Sequence, residues 1–430
     1  MSRKIILQVA LDFVDMHRAL GCAREAVAGG VDWIEAGTPL IKAEGLNIIR
    51  ELHKAFPKHV IVADMKTMDA GRAEVEIAAK AGAKVVHVLG AASDSTIAEC
   101  VEAAKNYGAE VIVDMIEVKD PVKRAREVEK LGVNYIGIHT PIDEQMKGKE
   151  PFSMLRKVVS MVGIPVAVAG GINSENAVEA VKAGASIIIA GGSITKSKDA
   201  KKAASEIKKA MVSLKKVDSK FFKRVGEADI LKVLSLVSTA NISDALHRLP
   251  CLSGIKPLAP GMKLAGKAVT VRTYPGDWAK PVEAVDIAKP GEIIVIDAGG
   301  VAPAVWGELA TQSAKRRKLG GLVIDGAIRD SREIVDLKFP AFSRLVTSHA
   351  GEPKGFGELN VPVMVGGQKV FPGDWIVGDD DGVMVIPSDK AVEFTNRAMD
   401  VLEKENRLRK EILEGSTLSS VMDILKWEKK

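Results

Sequence analysis

The amino-acid sequence predicts an α/β protein in two parts, a (β/α)8 barrel followed by a second α/β domain, and three observations carry that expectation. From residue 4 to about 214 a short apolar strand, a polar or glycine-bearing loop and an amphipathic helix recur eight times at roughly 20–30-residue intervals. Eight such units in about 210 residues is the count and length of a small βα barrel. Beyond about residue 229 the regular repeat is lost, and strands alternate with glycine and proline turns.

At 430 residues the chain exceeds one ordinary domain. Its 47% hydrophobic, 27% charged and 4% aromatic residues describe a globular protein built on small and branched aliphatic side chains. The first apolar run, Ile5 to Leu11, stops at Asp12 and reads as a strand, not a leader, and no later run reaches the roughly eighteen apolar residues of a membrane helix. Cys22, Cys100 and Cys251 are few, odd in number and far apart, which predicts a reduced, cytoplasmic protein whose thiols fill small gaps and hold no metal.

The eight strands are expected at 4–12, 32–37, 60–66, 84–90, 110–116, 135–140, 165–171 and 186–192, with helical segments at 74–81, 97–104 and 177–183 among those between them. Two of these helices run into the turns Ala81-Gly82-Ala83-Lys84 and Ala183-Gly184-Ala185-Ser186, where glycine supplies the left-handed residue that ends a helix.

The third strand runs straight into Asp64-Met65-Lys66-Thr67-Met68-Asp69. Alternate strand residues point the same way, so Asp64 and Lys66 project together, and Asp69 can return from the loop to complete a carboxylate, ammonium, carboxylate trio. Alone, such a trio reads as a surface ion pair. The other strand ends change that reading, because a barrel gathers them on one face. Asp12, Glu35, Asp64, Lys66, Asp114 and His139 then converge with Gly170-Gly171 and Gly191-Gly192. So many ionisable groups on otherwise apolar strands destabilise a scaffold, which points to a site. His87 sits inside a strand and reads as structural. The two glycine pairs close the last two strands, where backbone amides commonly bind phosphate, with Asn173-Ser174 and Ser193 as helix caps.

Residues 1–214 resemble the 3-hexulose-6-phosphate synthase branch of the orotidine-5′-monophosphate decarboxylase superfamily. The residues that carry the resemblance are the Asp-x-Lys-x-x-Asp of Asp64, Lys66 and Asp69, with Leu7-Gln8-Val9-Ala10-Leu11-Asp12, Ile34-Glu35-Ala36-Gly37-Thr38-Pro39-Leu40 and Ala169-Gly170-Gly171-Ile172. The resemblance implies a magnesium-dependent aldol reaction, manganese being the alternative ion, that joins formaldehyde to ribulose 5-phosphate. It implies Glu35 and Asp64 at the metal, and Asp12, Lys66, Asp69 and His139 in catalytic roles. Asp114, Gly170, Gly171, Gly191 and Gly192 fall to the sugar phosphate. Asp69 would enter the neighbouring subunit's site, which implies a dimer. A decarboxylase of a 3-keto sugar-acid phosphate is the alternative within the same superfamily, since an enediolate serves both reactions.

Between Lys196 and Arg224 eleven Lys or Arg face three acids, a local balance of +8 against +5 for the whole chain. A solvated helix face with a linker over 215–228 accounts for this; the alternative is a polyanion strip, but no aromatic pattern accompanies it, and nucleic acid is not expected. In the second half a helix is expected near 238–246, strands near 268–272, 292–297, 322–325 and 361–365, and a helix starting at Gly307-Glu308-Leu309-Ala310.

Glu308, with Arg329-Asp330 about twenty residues on, and Gly378-Asp379-Asp380-Asp381-Gly382-Val383 make residues 229–390 resemble the family of the regulator of ribonuclease E activity and the class II 4-hydroxy-4-methyl-2-oxoglutarate aldolases. That implies Asp330 and Glu308 at a metal, Arg329 on a substrate oxygen and the Leu309 and Ala310 amides on a carboxylate of a 2-oxo acid. Glu308 stands where the aldolases usually carry Asp. A non-catalytic regulator is the alternative, and trimeric contacts are the expected assembly. Residues 391–430 read as a charged helical tail with Ala391, Phe394, Ala398, Val401 and Leu402 on one packing face.

Overall fold

The computed structural model describes residues 5–219 and 224–422; Lys4, the stretch of the basic strip from Lys220 to Lys223 and residues 423–430 of the tail lie outside the described residues. The chain divides into two compact units, the first running to Arg224 and resuming at Glu403, the second Val225–Leu402.

In the first unit β1 (Ile6–Leu11), β2 (Trp33–Ala36), β3 (Val60–Thr67), β4 (Val85–Leu89), β5 (Glu110–Asp114), β6 (Tyr135–His139), β7 (Val166–Ala169) and β8 (Ile187–Ala190) pair in sequence order and close into a barrel. Every neighbouring pair is parallel, and β8 returns to β1. All eight lie on the expected spans, with β3 one residue longer.

Alternation along the strands makes two cores. Ala10, Trp33, Val62, Val85, Ile112, Ala167, Ile187 and Ile189 fill the barrel interior. Leu7, Val9, Leu11, Ile34, Ile61, Val86, Val111, Ile136, Val168 and Ile188 belong to the larger core shared with the surrounding helices. Asp12, Glu35, Asp64, His87 and Asp114 each follow an inward residue by two positions, so the same period that packs the barrel points them into its upper half.

Local chemistry sets the helices. Asp15 and Ser93 cap Met16–Ala28 and Asp94–Tyr107 by accepting from the Arg18 and Thr96 amides at 2.8 and 3.1 Å. Gly82 and Gly184 end two others with φ of 110° and 97°. The basic strip includes the helix Ala200–Ser213, whose lysines find local acids: Lys208 pairs with Asp32 and Lys202 lies 4.0 Å from Glu206. The helix Ala391–Leu413 buries Ala391 and Ala398 in the second unit's core. From Glu403 the chain is part of the barrel unit, where buried Arg407 donates to Glu25 at 2.9 and 3.1 Å and to Glu411 at 2.8 Å.

In the second unit β10 (Leu264–Arg272), β11 (Ile293–Asp297), β12 (Gly321–Ile328) and β13 (Ala341–Val346) form a parallel sheet. Antiparallel β17 (Trp375–Asp379) and β18 (Gly382–Ile386) extend it at one edge, and β9 (Lys256–Pro257) at the other. Separate apolar clusters cover the sheet's faces, one around Val271, Ile294, Ile324 and Trp306, the other around Ile293, Val323, Phe342 and Ile376. The helix Thr239–Ala245 begins in a reciprocal cap between Ser238 and Asn241. β14 (Glu358–Leu359) pairs antiparallel with β10, and the strand expected at 361–365 shortens to β15 (Val363–Val365), which among the described residues pairs only within a hairpin with β16 (Gln368–Val370). The acidic run Asp379-Asp380-Asp381 is the turn between β17 and β18, with Asp379 accepting from the Thr239 amide at 2.8 Å. Among the described residues no helix is long and apolar enough to cross a membrane.

Candidate active site

At the C-terminal ends of the barrel strands the Lys66 ammonium reaches both oxygens of Asp64, at 2.9 and 2.8 Å, and Oδ2 of Asp114 at 3.1 Å. That same Asp114 oxygen lies 3.1 Å from His139 Nδ1, while Oδ1 accepts from the Ile116 amide at 2.9 Å. Thr38 Oγ1 donates within reach of Asp64 Oδ2, at 2.9 Å, and of its carbonyl at 2.8 Å. One layer deeper Gln8 Nε2 donates to Glu35 Oε2 at 2.5 Å. Lys66 occupies a left-handed backbone conformation, φ 50°, inside an irregularity of the β3–β4 pairing between Ala63 and Thr67. Strain of this kind persists where the surrounding structure enforces it, and it aims the ammonium back over its own strand.

Burial works to lower the Lys66 pKa, but Asp64 and Asp114 override it and hold the ammonium above its ordinary range. Burial would raise Asp114, and the hydrogen bond and charge of His139 with the charge of Lys66 hold it below the usual carboxylate range instead. Glu35 moves the other way: burial, then the charges of Asp64 and Asp12, push it well above its usual value. The pocket thus contains a paired half, Lys66, Asp114 and His139, and a half crowded with negative charge around Glu35.

The sequence expectation placed Asp69 beside Lys66. Asp69 is exposed instead, and its Oδ1 accepts from the Ala70 amide at 2.7 Å. The second acid at Lys66 is Asp114, 48 residues away on β5, because closure of the barrel turns the inward end of β5, two strands over, toward Lys66 while the loop carries Asp69 outward. Asn173 Oδ1 accepts from the Glu175 and Asn176 amides in a turn ahead of the helix Ala177–Lys182, whereas Ser174 donates to the Val217 carbonyl and caps nothing. Ser193 lies within the short helix Gly192–Thr195, its hydroxyl buried without a partner. Gly170 and Gly171 both have positive φ, and a Cβ at Gly170 would stand 2.7 Å from the Thr140 carbonyl oxygen.

Gln8 and Thr38 carry no assigned role in the sequence reading, and His87 reads there as structural. Gln8 and His87 share the inward parity of Asp12 and Asp114, and a polar residue at an inward strand position was the available signal. Both ring nitrogens of His87 and Oε1 of Gln8 are buried without a hydrogen-bond partner.

In the second unit Asp330, φ 56°, accepts from the Glu308 amide at 3.0 Å through Oδ2, at the start of the helix Glu308–Arg316. Arg329 Nε lies 3.5 Å from the same oxygen, and Gln312 donates to Glu308 at 2.8 Å. Leu309 and Ala310 occupy the first helical turn, whose amides lack intrahelical acceptors. The residues singled out on both sides of the twenty-residue gap therefore meet at one helix N-terminus.

Among the described residues no three His, Cys, Asp or Glu side chains form a ready metal-ligand group. The donor chemistry at the barrel site nevertheless fits a hard divalent cation. Glu35 and Asp64 supply carboxylate oxygens, a positive charge beside Glu35 would offset the burial and the repulsion from Asp64 and Asp12 that raise it, and Gln8 Oε1, among the described residues, is an unpartnered amide oxygen on the residue bonded to Glu35.

A closed eight-stranded parallel barrel with a lysine clamped between carboxylates at its strand ends defines the first unit as a TIM-barrel enzyme, and a second α/β domain follows. Residues 6–207 match the family described as Orotidine 5'-phosphate decarboxylase / HUMPS, and residues 239–385 match Aldolase/RraA. The 3-hexulose-6-phosphate synthase of Mycobacterium gastri is 44% identical over 205 residues, 48% of this chain and 99% of the relative. That of Bacillus subtilis is 41% identical over 207 residues, 48% of this chain and 98% of the relative. A crystal structure of a 3-hexulose-6-phosphate synthase is 43% identical, covers 48% of this chain and all of the other, and has a TM-score of 0.47. The chain belongs, through its barrel, to the 3-hexulose-6-phosphate synthases of the orotidine 5′-phosphate decarboxylase / HUMPS family, fused to an RraA-like domain.

Proposed function

We propose that the barrel joins formaldehyde to C1 of ribulose 5-phosphate to give 3-hexulose 6-phosphate, and runs the reverse cleavage through the same states. The observation that carries the reading is Lys66 held between Asp64 and Asp114, with His139 on the far side of Asp114. Donation from His139 Nδ1 to Asp114 leaves Nε2 as the basic nitrogen, suited to take the C1 proton of the ketose. The electron pair released forms an enediolate, whose carbon attacks formaldehyde, and the new alkoxide receives a proton. Lys66, held protonated by Asp64 and Asp114 before reaction, stabilises the negative charge that develops on oxygen and is the nearby proton donor. Glu35 and Asp64 would hold magnesium or manganese; when bound, such an ion supplies Lewis-acid stabilisation of oxyanions. The Gly170-Gly171 and Gly191-Gly192 amides, with the unpartnered Ser193 hydroxyl, suit the phosphate. Exposed Asp69, with exposed Met68 beside it, suits completion of a second copy's site in a dimer.

The test is formation of hexulose phosphate by the full chain from formaldehyde and ribulose 5-phosphate, with magnesium, with manganese and after chelation. Turnover that chelation abolishes and either ion restores is expected; no turnover with either ion overturns the reading.

For the second unit the meeting of Glu308, Arg329 and Asp330 favours a metal-dependent lyase for small 2-oxo acids, with Arg329 on the substrate oxygen and the Leu309 and Ala310 amides on its carboxylate. Oxaloacetate decarboxylation by the full chain, compared with Arg329→Ala, tests it. Equal rates at the free-metal background would leave the non-catalytic regulator as the reading. The buried free thiols of Cys22 and Cys100 are in keeping with a reduced, cytoplasmic setting.

A further inference from the structure

His87 lies in the middle of β4, at a position whose inward neighbour two residues earlier is Val85, and it pairs with Ile112 of β5. Apolar side chains fill the barrel at those neighbouring positions, and an apolar residue would serve equally for packing. His87 is 4% exposed, and among the described residues both ring nitrogens lack a hydrogen-bond partner. Buried polar groups left unmatched are uncommon in native proteins and call for a reason beyond packing. The His87 Nδ1 lies 3.8 Å from Asp64 Oδ1, short of a hydrogen bond by less than an ångström.

The two oxygens of Asp64 are not equally held. Oδ2 accepts from Thr38 as well as Lys66, whereas Oδ1, among the described residues, accepts from Lys66 alone at hydrogen-bond distance. When the ammonium turns toward an oxyanion on the substrate, Oδ1 loses that hydrogen-bond donor, and a cation shared by Asp64 and Glu35 would supply charge but no donor to replace it. We propose that His87 is a positioning residue of the barrel reaction: its Nδ1–H closes onto Asp64 Oδ1 as Lys66 leaves, and keeps the carboxylate in place through turnover. The inference rests on the synthase reading of the barrel.

The experiment compares wild type, His87→Leu, His87→Asn and His87→Gln in the full chain, by synthase kinetics and thermal midpoint. Asn places its amide nitrogen where Nδ1 stands, Gln places it nearer Nε2, and Leu removes the donor. The expected result is a fall in kcat of about tenfold or more in His87→Leu, with KM for ribulose 5-phosphate changed less than about threefold. The Leu midpoint should equal or exceed wild type, since an unmatched polar ring has gone. His87→Asn should recover most of kcat and His87→Gln should not. A Leu variant with kcat within about twofold of wild type overturns the proposal, as does Asn no better than Leu, or a loss confined to KM. A wild-type chain that makes no hexulose phosphate fails the synthase reading first and removes the role with it, an outcome separate from variants that all match an active wild type.

Discussion

Replacing Lys66 by Ala removes an ammonium that contacts both oxygens of Asp64 and one of Asp114, leaving two carboxylates that are 7% and 2% exposed. Removing one partner of a buried pair destabilises by about 3–5 kcal/mol. The loss here is smaller, because the Lys66 side chain is 25% exposed and Asp64 keeps Thr38 while Asp114 keeps His139. A loss of about 2 kcal/mol is expected, from a reserve that in ordinary domains is about 5 kcal/mol or more. The barrel then remains about 99% folded, so destabilisation alone leaves its activity essentially unchanged. The chemical effect is far larger, since removing one preorganised charge-stabilising group lowers kcat by about 100- to 1000-fold. Synthase turnover of the full chain, beside its thermal unfolding followed by circular dichroism, separates the two. A variant with kcat within about tenfold of wild type, or one whose activity simply tracks its folded fraction, would refute the placement of Lys66 at the chemistry.

The depressed pKa of Asp114 makes a prediction of fixed sign. A carboxylate held below its unfolded value stabilises the fold above that value and loses the contribution as pH falls through the folded one. The thermal-midpoint advantage of wild type over Asp114→Asn should therefore be full near neutrality and shrink below about pH 4; an advantage independent of pH would contradict the ion-pair account. Burial raises the Cys22 and Cys100 thiols to about 12, so native protein at pH 8 should label at neither while partly exposed Cys251 reacts first, as mass spectrometry after brief alkylation would show. Labelling of Cys22 as fast as Cys251 would contradict the packing of the first helix.

The barrel was legible from the sequence because its determinants are local. Each strand announces itself as an apolar run of a few residues, each helix by its small residues and caps, and the strand ends by the first charged side chain after the run. Asp12, Glu35, Asp64, Lys66, Asp114 and His139 were therefore found without knowing which strand lies beside which. The second unit's Glu308 and Arg329-Asp330 were legible for a different reason, a helix start and a strand end at a fixed separation.

Partnership was not local and could not be read in the same way. Asp69 stands nearer Lys66 in sequence than Asp114 does, yet barrel closure brings β5 to β3 across β4, and the loop carries Asp69 outward. His87 looked like a packed strand residue until the inward parity of β4 set it beside Asp64, 23 positions earlier. The basic strip, a +8 excess along the chain, is partly neutralised by acids that folding brings to it, Asp32 at Lys208 among them. Arg407 binds Glu25 from 382 residues away, which makes the residues after Glu403 part of the barrel unit although their sequence reads only as a charged helix. Periodicity determines which residues face inward at short range, whereas the identity of each charge's partner depends on chain closure over tens to hundreds of residues, which only the tertiary structure decides.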